Sequence, residues 1–224
     1  MLTLTIDRLI NALKWPAAIL SLLMIPAMGK VFLQQVMVLA DMDYALFWGG
    51  VLLYVLCHHF LFSKRIWGSF LPTLEHELTH TIFAWITLHR VRGFHASWSK
   101  GGHVSYVGGV GNWLITIAPY FFPTFPLLCL LVGEFWPQFF VGRFDLVMGI
   151  FIGFQISSTL RETHANQTDL QKVGFPFAVA ILPALNFLSI GWLLAAVAGK
   201  RSTMFWSEIN DGFFQTIGWL QALL

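Results

Sequence analysis

The run His76-Glu77-Leu78-Thr79-His80 places two imidazoles four residues apart, with a carboxylate beside the first. On a helix, residues i and i+4 share a face, so His76 and His80 can hold one zinc ion between them. Glu77 then lies beside the metal without binding it. From there it can take the proton of a zinc-activated water as that water attacks a peptide carbonyl. With 8 His and 5 Glu in 224 residues, chance supplies on the order of 0.006 such motifs. The competing reading is that these three side chains hydrogen-bond to neighbouring helices without metal.

A catalytic zinc takes three protein ligands and leaves one position for water. The third ligand must come from elsewhere in the chain, and Asp169, His164, Glu162, His103, His95 and His89 are the candidates. Asp145 stands at the far end of its apolar segment and is expected on the wrong side. Asp169 also reads as a helix N-cap or a solvated loop charge.

The elements that must carry these residues follow from composition. Hydrophobic residues make up 57% of the chain and charged residues 11%, where a soluble domain carries about 25% charged. That excludes a soluble globule, and 22 Phe with 10 Trp exclude disorder. A net charge of +2 gives no reason to expect nucleic acid as a partner. Cys57 and Cys129 both lie in apolar runs and form no disulfide framework. The expected fold is all-α, a polytopic membrane helix bundle forming a single domain over 1–224, with its core at 70–198.

A spanning helix needs about 20 apolar residues. Six stretches qualify: Trp15–Leu39, Tyr44–Phe62, Phe70–Leu88, Gly111–Val132, Phe144–Leu160 and Phe175–Ala198. Pro26, Lys30, Gln34 and Gln35 interrupt the first, which is expected to kink at Pro26 or to leave the membrane near Lys30. Arg8 and Lys14 precede an apolar run with no small-residue cleavage pattern, so this segment is expected to be retained. The tail at 202–224 reads as an amphipathic helix on the interface.

The metal motif falls in the third span, with Pro72 suited to its first turn and Ser69 available as a cap. Ionisable groups inside a span are costly and usually face an interior site. After this span, Val91–Tyr106 reads as a short β-hairpin turning at Ser99-Lys100-Gly101-Gly102, or else as a polar loop. An exposed strand edge could pair with an unwound substrate, whose own helix otherwise shields its carbonyls. Asn112 and Gln155 are amides that could hold a substrate carbonyl or an oxyanion, or simply link helices. Gly149 and Gly153 have the spacing of close helix packing. His58-His59 is rejected as a metal pair, because adjacent helical residues point about 100° apart.

Over residues 70–180 the chain resembles the site-2 protease family of intramembrane zinc metalloproteases, in its compact branch without a PDZ domain. The resemblance rests on His76-Glu77-Leu78-Thr79-His80, on Gly101-Gly102-His103-Val104-Ser105-Tyr106 after an Arg-rich turn, and on Gln167-Thr168-Asp169-Leu170. It implies one zinc ion per chain held by His76, His80 and Asp169, although the Asn-Pro-Asp-Gly or Leu-Asp-Gly context of many members is missing here. It also implies Glu77 as catalytic base and a strand at Gly102, His103 and Val104 that binds substrate. Asn112 joins those three as a candidate substrate contact from its own chemistry.

The expected partners are a membrane-spanning protein substrate and the lipid bilayer. The family would place the active site on the cytosolic side of the plasma (cell inner) membrane. Charge counting leans slightly the other way. Arg8, Lys14, Lys64, Arg65, Arg143, Lys200 and Arg201 fall on one side, and Arg90, Arg92, Lys100, Arg161 and Lys172 on the other. The functions in competition are an intramembrane zinc endopeptidase, a membrane-embedded zinc protease acting on non-membrane peptides, and a non-enzymatic scaffold.

Overall fold

Apolar runs broken by Pro and Gly fold into ten α-helices and one two-stranded sheet among the described residues. The computed structural model describes residues 1–62, 70–98, 101–200 and 202–222. The proposed Ser69 cap, the Ser99-Lys100 half of the turn, and Lys64, Arg65 and Arg201 lie outside them. The helices are α1 (Leu2–Ala12), α2 (Lys14–Val38), α3 (Ala45–Cys57), α4 (Phe70–Ile86), α5 (Trp113–Ile117), α6 (Thr124–Phe135), α7 (Phe144–Glu162), α8 (Thr168–Val173), α9 (Phe175–Val197) and α10 (Ser202–Ala222). Between α4 and α5, strands β1 (Arg90–Ala96) and β2 (Gly102–Val107) pair antiparallel. Their register runs from Arg90 opposite Val107 to Ala96 opposite Gly102, with a bulge between Val91 and Gly93. The segment after the third apolar run is therefore a hairpin and not a polar loop.

Among the described residues two helices, Lys14–Val38 and Phe175–Val197, are long and apolar enough to cross a membrane, and Trp113–Tyr120 with Thr124–Phe135 makes a third if counted as one span bent by 76°. Six spans are not confirmed, and the reasons are local. The described part of helix α4 has 17 residues, about 26 Å at 1.5 Å per residue, short of a core about 30 Å thick. Helix α3 ends after 13 residues in a π turn at His58–Phe62. Helix α7 carries Asp145, Arg161 and Glu162 within its 19 residues.

Helix α2 runs unbroken through Pro26 to Val38. The polar residues of α2 meet α10. Lys30 Nζ donates to Gln215 Oε1 at 2.7 Å, and Gln35 Nε2 donates to Glu208 Oε2 at 2.8 Å. Phe205 and Ile209 of α10 are buried with Val31 and Ala195, so the apolar stripe of the tail faces the bundle.

Helices α3 and α7 touch backbone to backbone. A Cβ on Gly149 would lie 2.0 Å from the Phe47 carbonyl oxygen, and one on Gly50 would lie 2.1 Å from that of Leu146. Phe47, Met148, Ile152 and Leu193 fill the core beside this contact. Cys57 and Cys129 are both free thiols.

Candidate metal centre

Helix α4 is fixed against the start of α6. Glu75 Oε1 accepts the Phe125 N–H at 3.0 Å, and the Thr79 hydroxyl, paired with that of Thr124, donates to the Glu75 carbonyl at 2.8 Å. This leaves His76 and His80 one turn apart on another part of the helix surface, with ring centroids 4.7 Å apart.

Each imidazole is oriented through Nδ1. His76 Nδ1 donates to Glu162 Oε2 at 2.9 Å, at the end of α7. His80 Nδ1 donates to the Ile115 carbonyl at 2.8 Å. That carbonyl is available for a covalent reason. In a continuous helix it would accept the N–H of residue 119, and Pro119 has none. The helix breaks there and resumes at Thr124, where Asn186 Nδ2 and Ser189 Oγ satisfy the carbonyls of Tyr120 and Phe121.

With both Nδ1 atoms engaged, both Nε2 lone pairs face inward. They lie 3.4 Å (His76) and 3.2 Å (His80) from Asp169 Oδ2. Those separations match the edge, about 3.3 Å, of a tetrahedron whose arms are about 2.0–2.1 Å long. One ligand atom from each of the three residues lies within 4.8 Å of the others, so the group could hold a metal ion. Two neutral imidazoles and a carboxylate suit zinc, and acceptors behind metal-binding imidazoles are the usual supporting shell. Burial works to raise the Asp169 carboxyl. Hydrogen bonds from His76, His80 and Lys172 outweigh burial and hold it well below the usual carboxylate range, and zinc would take the place of the imidazole protons on that side. Lys172 Nζ donates to the other oxygen, Oδ1, at 2.9 Å.

Glu77 is buried and borders a cavity of about 490 Å³ shared with His80, Asp169, Lys172 and the five residues Gly102–Tyr106. Alternate residues of a strand point to opposite faces. Five consecutive residues at the cavity wall therefore mean that the edge of β2 borders it. Gly102 is required by proximity, because a Cβ there would lie 2.5 Å from Glu77 Cγ. Gly102, His103 and Val104 thus line the same cavity as Glu77.

The other candidates do not join this group of ligand atoms. Glu162 stands behind His76, His164 is exposed beyond α7, and Asp145 sits in the first turn of α7 at its opposite end. His95 and His103 face each other across the hairpin. His89 contacts Asp7. Asn112 is buried and already engaged. Its Nδ2 donates to Asp7 Oδ1 at 2.7 Å and its Oδ1 accepts the Ile115 N–H at 3.1 Å, capping α5, so it does not line the cavity. Gln155 donates to Thr159 within its own helix. Lys172 and the Ile115 carbonyl were missed in the sequence, although Pro119 four residues past Ile115 marks that carbonyl as free.

The sequence model of the Peptidase M50B-like family matches residues 49–160, half of the chain, including His76, Glu77 and His80. The chain belongs to this family. It is thereby a member of the site-2 protease group of membrane-embedded metallopeptidases. Asp169 and α1 lie outside the matched M50B-like segment. No curated protein and no solved structure matches the chain.

Proposed function

We propose that this M50B-like protein is a zinc-dependent intramembrane endopeptidase, with one ion held by His76, His80 and Asp169. The observation that carries the proposal is the convergence of two oriented Nε2 atoms on Asp169 Oδ2, next to a buried Glu77 at the wall of a strand-lined cavity. A zinc ion bound there would polarise the scissile carbonyl and acidify a water molecule.

The rest of the chemistry belongs to the chain. Glu77 takes the proton from the attacking water as its oxygen bonds to the carbonyl carbon. Glu77 then gives that proton to the amide nitrogen as the C–N bond breaks. Glu162 and the Ile115 carbonyl hold the two rings so that both lone pairs stay aimed inward. The free edge of β2 supplies N–H and C=O groups that a locally unwound substrate segment can pair with as an added strand. Gly102, His103 and Val104 make that contact.

The substrate under this reading is a membrane-spanning protein, cut near the membrane surface. The enzyme sits in the plasma (cell inner) membrane with its metal centre towards the cytosol, and shorter helices such as α4 cross with their neighbours. The test is to reconstitute the protein in liposomes with a single-span substrate and with a soluble peptide of the same scissile sequence. Cleavage of the spanning substrate alone supports the proposal. Equal cleavage of both supports a membrane-embedded protease of non-membrane peptides, and cleavage of neither under zinc contradicts both.

A further inference from the structure

Asp7 of α1 takes no part in the chemistry above, yet its side chain is wholly buried. Burying a carboxylate is costly unless several donors surround it. Asp7 has three. Its Oδ1 accepts Asn112 Nδ2–H at 2.7 Å, and its Oδ2 accepts the Gly111 N–H at 3.0 Å and His89 Nε2–H at 3.1 Å. The chain closes tightly over it, since a Cβ on Gly109 would lie 2.0 Å from Asp7 Oδ2.

These partners lead back to His80 along two routes. Through Asn112, whose Oδ1 caps α5 on the Ile115 N–H, Asp7 fixes the residue whose carbonyl orients the His80 ring. Through His89, whose Nδ1 meets the Thr87 hydroxyl at 3.0 Å, it fixes the C-terminal end of the helix that carries His80. Thr87 in turn donates to the Phe83 carbonyl at 2.7 Å.

We infer that Asp7 is a positioning residue for the metal centre, holding the His80 ring through Asn112 and Ile115 so that α1 completes the ligand geometry. This rests on the zinc reading of the site.

The test exchanges the two polar groups. Asp7→Asn alone sets amide against amide at the Asn112 contact, and Asn112→Asp alone sets carboxylate against carboxylate. In the double variant, the amide introduced at position 7 can donate to the carboxylate at position 112. That carboxylate still caps Ile115, and the new carbonyl at position 7 still accepts from Gly111 and His89. The full chain is purified in detergent, its zinc affinity is measured by chelator competition, and its cobalt(II) spectrum is recorded as a probe of ligand geometry.

Each single variant is expected to bind zinc about tenfold more weakly with an altered cobalt spectrum, and the double variant to return to within about twofold of wild type. Single variants with wild-type affinity and spectrum overturn the inference. So does a double variant that stays weak, because the effect would then be general loosening of α1. If a single variant does not fold, the double variant decides alone on the same criterion. Wild-type protein that binds no zinc overturns the metal reading itself, a result distinct from wild-type binding that is indifferent to Asp7.

Discussion

Gly102 leaves no room for a side chain above Glu77: a Cβ there would fall 2.5 Å from Glu77 Cγ and 2.8 Å from Oε1. The strand that lines the cavity and the carboxylate proposed as base are therefore packed as one unit. Gly102→Ala is expected to push Glu77 out of place while leaving His76, His80 and Asp169 untouched. Zinc content should stay at the wild-type value and cleavage should fall by about ten- to a hundredfold, read by metal analysis and a gel-based substrate assay.

Glu77→Gln keeps the shape of the side chain and removes its basicity. It is expected to retain metal and to lose cleavage by roughly 10²- to 10⁴-fold, the usual contribution of a positioned general base. Equal turnover by this variant and the wild type would assign proton transfer to another group.

Glu162 orients His76 from behind, whereas His164, two residues on, is exposed. Glu162→Ala is expected to weaken zinc binding about 10- to 100-fold. His164→Ala is expected to leave it unchanged. Chelator competition on the two purified variants separates an orienting carboxylate from a neighbouring residue with no such role.

Gly149 faces the Phe47 carbonyl oxygen at the tightest contact between α3 and α7. Gly149→Ala forces these helices apart, and overpacking of this kind costs about 1–3 kcal/mol. Gly49 has nothing within 4 Å of its would-be Cβ, so Gly49→Ala is expected to be neutral or to stabilise by about 0.5–1 kcal/mol. Thermal unfolding in detergent should lower the transition for the first variant and not for the second.

What was legible in the sequence shares one property: it is local. The spacing of His76 and His80 reflects the helical repeat, the hairpin follows from β-formers flanking Gly101-Gly102, and the close approach at Gly149 follows from small-residue spacing. Length and hydropathy suggested six spans, a number the structure does not confirm. Hydropathy registers the apolar run from Trp113 to Phe135 but not the 76° bend that Pro119 and Pro123 bring to it. The supporting shell was hidden by distance along the chain, since Glu162 is 86 positions from His76 and Asp7 is 82 from His89. Asn112 looked like a free amide because its partners, Asp7 and the Ile115 N–H, meet it only after folding. Lys30 and Gln35 looked like flaws in a span until α10 supplied Gln215 and Glu208.

The most direct measurement is the zinc content of the purified chain after zinc loading and gel filtration, with each ligand replaced in turn. One zinc per chain in the wild type and in His164→Ala is expected, with none in His76→Ala, His80→Ala or Asp169→Ala. Wild-type protein free of zinc, or an Asp169→Ala variant that binds it as tightly as the wild type, would contradict the three-residue centre.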